Sequence, residues 1–145
     1  MDHHRRTDFP ALRVARPTND IAALLPFYCG GLGLEVLDRF EAHAGYDGIM
    51  LGHPASPWHL ELTHRRGHVV GRAPTREHLL VWYRPDRDDW SRAVSRMRAA
   101  GFVPVTPENP YWALRGETFE DPDGYCIVLQ QAAWEPAGTT SSSLR

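Results

Sequence analysis

The feature that most constrains this chain is an order of elements that occurs twice. A short strand, a helix and a run of strands span residues 13–61, and the same order returns over 78–128. The opening positions, Arg13 and His78, lie 65 residues apart, and the closing ones, Glu61 and Val128, lie 67 apart. A period of this size marks a duplicated supersecondary unit whose copies stack on one shared core. At 145 residues the chain has room for one such pair and little else.

Local chemistry sets the elements of each copy. Leu12-Arg13-Val14-Ala15-Arg16 reads as a strand, stopped by Pro17, which has no N–H for a ladder. Thr18, Asn19 and Asp20 offer capping oxygens to a helix over Ile21–Tyr28, with Pro26 distorting its last turns and Gly30, Gly31 and Gly33 ending it. Strands are predicted over 35–41, 48–52 and 59–64, with a turn at 45–48. The second copy opens with a strand over 78–83. A helix from Asp86 to Ala100 follows, with Trp90, Val94 and Met97 as its apolar stripe. Strands over 102–105, 112–119 and 125–130 complete it. The expected organisation is therefore α+β: two βαβββ modules, 11–66 and 77–134, forming a cupped mixed half-barrel with the helices outside. A linker, 67–76, joins them, and disordered tails are expected over 1–10 and 135–145.

Composition excludes several function classes. A net charge of −2 leaves no basic face for nucleic acid, although all 16 Lys+Arg residues are arginine. Two cysteines, Cys29 and Cys126, make no disulfide framework and suit a reducing cytoplasm. No apolar run approaches the ~18 residues of a membrane span.

Three motifs in series carry a resemblance: Asp20-Ile21 through Phe27-Tyr28, Leu32-Gly33-Leu34, and Phe119-Glu120-Asp121-Pro122-Asp123-Gly124. Over 12–130 the chain resembles the glyoxalase, bleomycin-resistance and extradiol-dioxygenase proteins, the vicinal oxygen chelate superfamily. His59-Leu60-Glu61-Leu62-Thr63-His64 also resembles the strand that carries the metal-binding glutamate of glyoxalase I. The resemblance implies a cavity enclosed by paired half-barrels, often across a two-fold axis, so a homodimer is expected. It also implies four metal positions on cavity strands, which carry over to Arg13, Glu61, His78 and Val128. Arginine stays protonated and has no free acceptor, and valine has no donor atom, so half the chelate is missing.

Strand alternation places His59, Glu61 and Thr63 on one face of their strand, and by the same count His78, Leu80 and Trp82 on the cavity face of theirs. Three readings of the polar cluster compete. Glu61 and His78, with His59 or Cys126, bind a divalent ion (Zn, Ni, Mn or Fe); Arg13 replaces the ion and balances Glu61 within a ligand pocket; or the cluster is structural only. Charge favours the second. At an effective dielectric of ~20, a divalent ion about 4 Å from a guanidinium is opposed by roughly 8 kcal/mol. The expected function is a small-molecule binder with no cofactor, taking an aromatic or anionic ligand through Arg13, Glu61, His78 and His59 between walls of Trp82, Tyr111 and Trp112. The alternative is a metal-dependent lyase, isomerase or dioxygenase in which Glu61 is also the catalytic base.

Overall fold

β1 (Leu12–Pro17) and β4 (Trp58–Arg65) run parallel, in a register that sets Arg13 beside His59 and Ala15 beside Glu61. A parallel pair needs a crossover, and helix α1 (Ile21–Leu25) begins it. Asp20 caps α1, its side chain accepting from the Ala23 N–H at 3.2 Å. Pro26 cannot continue an ordinary α-turn, and the chain widens into a π-turn over Pro26–Gly31. β2 (Glu35–His43) and β3 (Tyr46–Gly52) then complete a sheet of order β1-β4-β3-β2. This computed structural model describes residues 10–138, so most of both expected tails lies outside the described residues.

The second copy repeats the scheme with one strand fewer. β5 (Leu79–Tyr83), β7 (Cys126–Gln130) and β6 (Gly116–Glu120) form a sheet in that order, with β5 parallel to β7. The crossover helix α2 (Arg87–Ala99) is capped by Asp86, which accepts from the Asp89 N–H at 2.8 Å. Asp88 and Asp89 in its first turn and Arg96 and Arg98 in its last complement the helix dipole.

Three local expectations are corrected. No strand forms over 102–105, where only Val105 bridges to Thr118; Pro104 has no N–H to extend the pairing. Trp112 is not in a strand: Asn109 accepts from the Tyr111 N–H and Pro110 starts a 3-10 helix, Pro110–Ala113, so β6 begins only at Gly116. The hairpin turn is Ala44-Gly45, not 45–48, and Tyr46 and Asp47 already belong to β3.

Both copies feed one core, as a stacked duplication requires. Leu24, Phe27 and Tyr28 meet Val94, Met97, Phe119, Ile127 and Leu129 in a single buried cluster. The contact between crossovers depends on Gly31, where a Cβ would stand 2.6 Å from Met97 Sδ. Among the described residues no helix is long and apolar enough to cross a membrane.

Candidate functional site

Leu60 and Leu62 of β4 are 5% and 2% exposed within the core, so His59, Glu61 and Thr63 project from the opposite face of the sheet. The register of β1 brings Arg13 onto that face. Its Nε donates to His59 Nε2 at 2.8 Å, and its Nη1 stands 3.6 Å from Glu61 Oε1. An arginine N–H can only donate, so His59 Nε2 is the acceptor and the ring proton sits on Nδ1. Glu61 is well shielded, its side chain 13% exposed, while that of Arg13 is 47% exposed. The result is a guanidinium held from one side by an imidazole and balanced by a carboxylate, with its outer edge open to solvent.

The structure does not add Trp82 to this face. Leu80 and Trp82 pack against the core, and Trp82 meets Trp58 edge-on with ring centroids 5.6 Å apart. The opposite face of the second sheet carries Leu79 and Val81, paired with Cys126 and Val128. His78 precedes β5 and lies against the Tyr125 ring at 6.3 Å. The helix caps explain the slip. Asp20 and Asp86 are equivalent caps, and the residues seven before them are Arg13 and Leu79. Counting from the caps makes Leu79, not His78, the counterpart of Arg13, and a shift of one residue exchanges every side chain between faces.

Tyr111 and Trp112 pack edge to face, 4.9 Å apart, on the 3-10 helix. Trp112 shares with Leu79, Pro107 and Asn109 the lining of a cavity of about 110 Å³.

With the geometry in place, the likenesses to known proteins are specific. Residues 12–63 match the YycE-like N-terminal domain and residues 77–131 the YycE-like C-terminal domain. The uncharacterized protein YycE of Bacillus subtilis (strain 168) is 39% identical over 121 residues, which cover 83% of this chain and 87% of that protein. The chain belongs to the YycE-like family. The crystal structure of Bacillus subtilis YycE, a protein of unknown function, superimposes with a TM-score of 0.79 at 37% identity, covering 89% of this chain and 93% of that one. The trypanothione-dependent glyoxalase I of Leishmania major shares the fold, with a TM-score of 0.66 at 23% identity over 86% of this chain and 87% of its own. So does TnmS3, an antibiotic-binding protein from Streptomyces sp. CB03234, with a TM-score of 0.60 at 20% identity over 86% and 97%. The YycE-like fold is thereby that of the vicinal oxygen chelate superfamily.

A metal does not fit the four positions that the resemblance carries over to this YycE-like chain. With the cap-based correction they hold Arg13, Glu61, Leu79 and Val128, and only Glu61 has a donor atom for a cation. His59 offers Nε2, but that lone pair is already engaged by Arg13. Cys126 is buried in β7, and burial pushes its thiol up, away from the thiolate that metals bind. Among the described residues no group of three or more His, Cys, Asp or Glu side chains is placed to hold an ion.

One polar cluster was missed at the sequence level. Tyr28 OH donates to Asp121 Oδ2 at 2.6 Å, and Arg16 Nη1 reaches Tyr28 OH at 3.2 Å and Asp121 Oδ2 at 3.7 Å. The Arg16 guanidinium also lies 3.9 Å over the Tyr125 ring. Asp121 further accepts the N–H groups of Asp123 and Tyr125, shaping the turn before β7. Burial pushes both Tyr28 and Asp121 above their usual ranges; for Asp121 it outweighs its hydrogen bonds and the Arg16 charge. The cluster ties the first copy's strand and crossover to the second copy's turn. Alternation in β1, which puts Arg16 on the core side with Val14, was the available signal.

Proposed function

We propose that this chain is a small-molecule binding protein of the glyoxalase and bleomycin-resistance type, working without a metal. Arg13 receives an anionic or strongly polar group of the ligand, His59 and Glu61 hold the guanidinium in place, and Tyr111 and Trp112 supply aromatic surface. His78 and Trp82 have no part in it, for the packing reasons given above. The observation that carries this reading is the Arg13 guanidinium itself, 2.8 Å from His59 Nε2 and 3.6 Å from Glu61 Oε1 at a position where the resemblance seats an ion. The outward edge of Arg13 leaves N–H donors for a carboxylate or phosphate, in the forked geometry that arginine provides.

The protein acts in the cytoplasm as a homodimer. Support for the dimer is the open face of the first sheet, where Leu37 of the edge strand β2 is exposed on the side that carries His59. A second copy closing over that face would turn a surface cluster into an enclosed site.

The test is a thermal-shift and calorimetric screen of aromatic carboxylates and phosphates against wild type and Arg13→Ala, on protein purified without metal-affinity chromatography. Hits that saturate, that fail with Arg13→Ala, and that are indifferent to chelator are expected. A requirement for stoichiometric Zn, Ni, Mn or Fe(II), or hits unaffected by Arg13→Ala, would overturn the reading in favour of metal-dependent catalysis or a different pocket.

A further inference from the structure

A second pocket lies on the other side of the sheets, among the crossovers. Gly31 and Leu32 of the first crossover, Leu129 of β7, Arg84, and Asp89, Arg92, Ala93 and Arg96 of α2 line a cavity of about 180 Å³. At roughly 30 Å³ for each water in the liquid, that is room for a tetrahedral oxyanion with several waters. Three guanidiniums face it against one carboxylate.

The charges are not cancelled locally. Asp89 is already engaged by Arg84 Nη1 at 2.8 Å. Arg96 donates from Nε to the Gly30 carbonyl at 3.0 Å and from Nη2 to the Cys29 carbonyl at 3.4 Å, which fixes its plane without neutralising it. Its approach depends on Gly33, at φ +80°, where a Cβ would stand 2.7 Å from Arg96 Nη1. Arg92 stands one turn before Arg96, and among the described residues neither is ion-paired. Arg96, in the last turn, complements the helix dipole, but like charges at i and i+4 oppose each other on a helix, so Arg92 and Arg96 do not favour one another there. Arg84 adds a third sign of an incomplete site: its Nε is buried and has no hydrogen-bond partner.

We infer that this cavity is an anion site for a phosphate-sized dianion, either free phosphate or the phosphoryl group of a small organic phosphate. Arg96, pinned by two carbonyls, is its fixed donor. Arg92 is the mobile one that closes on the ligand, and Arg84 contributes from the sheet side. The site is separate from the Arg13 cluster, which projects from the opposite face of the first sheet.

The experiment is a titration of the full chain with inorganic phosphate and with phenyl phosphate, followed by phosphorus NMR and melting temperature at constant ionic strength, with chloride as reference. Saturable binding is expected, weakened at least about tenfold in Arg92→Gln, an exposed substitution that leaves the core untouched. Arg13→Ala, which removes the first site, should bind inorganic phosphate as wild type does. In that background, phosphate preferred over phenyl phosphate assigns the free anion, and the reverse assigns the organic phosphate. Binding no better than chloride, binding unchanged in Arg92→Gln, or inorganic phosphate binding lost in Arg13→Ala instead would each overturn the inference. The last result would move the anion to the Arg13 site and leave the proposed function standing.

Discussion

The equivalent faces of the two sheets have opposite chemistry. Where the first has Arg13, His59 and Glu61, register and cap spacing give the second Leu79, Cys126 and Val128. The first face is open, and its arginine side chain is nearly half exposed. The second is roofed by its own chain: the Trp112 carbonyl would be 3.0 Å from a Cβ at Gly116, and Trp112 and Pro107 share a cavity with Leu79. Val128 is 0% exposed beneath that roof. A duplicated unit thus carries polar groups on this face in one copy and packed apolar groups at the equivalent positions in the other. The strand missing from the second copy belongs to the same change, since the 106–115 segment crosses the face instead of extending the sheet.

The strongest way to break this contrast is to put the first copy's carboxylate into the second. Val128→Glu would bury an anion with no cation facing it, and we expect a loss of about 3–5 kcal/mol of folding stability or complete failure to fold. The reciprocal Glu61→Val should change stability by less than about 1 kcal/mol, because its partner Arg13 is solvated. Urea denaturation of both variants measures the difference directly. Similar costs for the two would mean that the faces are not different in kind.

Next in size is the clamp that lets the two copies differ yet fold as one body. Asp121→Ala removes the acceptor shared by Tyr28, Asp123 and Tyr125 and leaves Arg16 without its carboxylate, at a cost of about 3–5 kcal/mol. Tyr28→Phe removes the hydrogen bond to the buried Asp121 carboxylate and the one accepted from Arg16, and should cost about 1–3 kcal/mol. It also has a pH signature. The Tyr28 hydroxyl is raised above its ordinary value of about 10, so above that pH the folded chain holds a proton that the unfolded chain has released. Its contribution is fully present below pH ~10 and is lost as pH rises further. Melting curves from pH 8 to 11 should fall more steeply for wild type than for Tyr28→Phe; parallel curves would remove Tyr28 from the clamp.

How much of this was legible in the sequence follows from which forces act locally. The repeat, the caps at Asp20 and Asp86, the distortion at Pro26 and the burial of Leu60 and Leu62 are all set by residues within a turn or a strand of one another. The Arg13–Glu61 meeting was legible too, because the resemblance puts both residues on cavity strands of one unit. The face of β5 was not. Its sequence, Leu79 to Tyr83, is apolar on both sides because the roof buries one face and the core the other, so alternation carries no sign. Counting from the Asp86 cap would have given the right register where hydrophobicity could not. The roof itself arises from Asn109-Pro110 starting a 3-10 helix, a local feature that the aromatic, strand-like run after it concealed. Asp121 shapes its own turn through the Asp123 and Tyr125 N–H groups, a local feature, but its bond to Tyr28 spans 93 residues and has no local trace.

The smallest expected effect on stability sharpens the contrast most. Arg13 is half exposed and its ion pair with Glu61 is long, so Arg13→Ala should change folding free energy by less than about 1 kcal/mol. Arg13→Lys separates charge from geometry. A lysine ammonium keeps the positive charge near Glu61 but lacks the planar fork that gives His59 one N–H and a ligand two more. If Arg13 only balances Glu61, the lysine variant should bind ligands as wild type does. If it recognises an oxyanion through its fork, both variants should lose binding at least about tenfold while melting within a few degrees of wild type. A lysine variant with full affinity would reduce the first face to a charge-balanced surface, leaving the two copies different in burial but not in recognition.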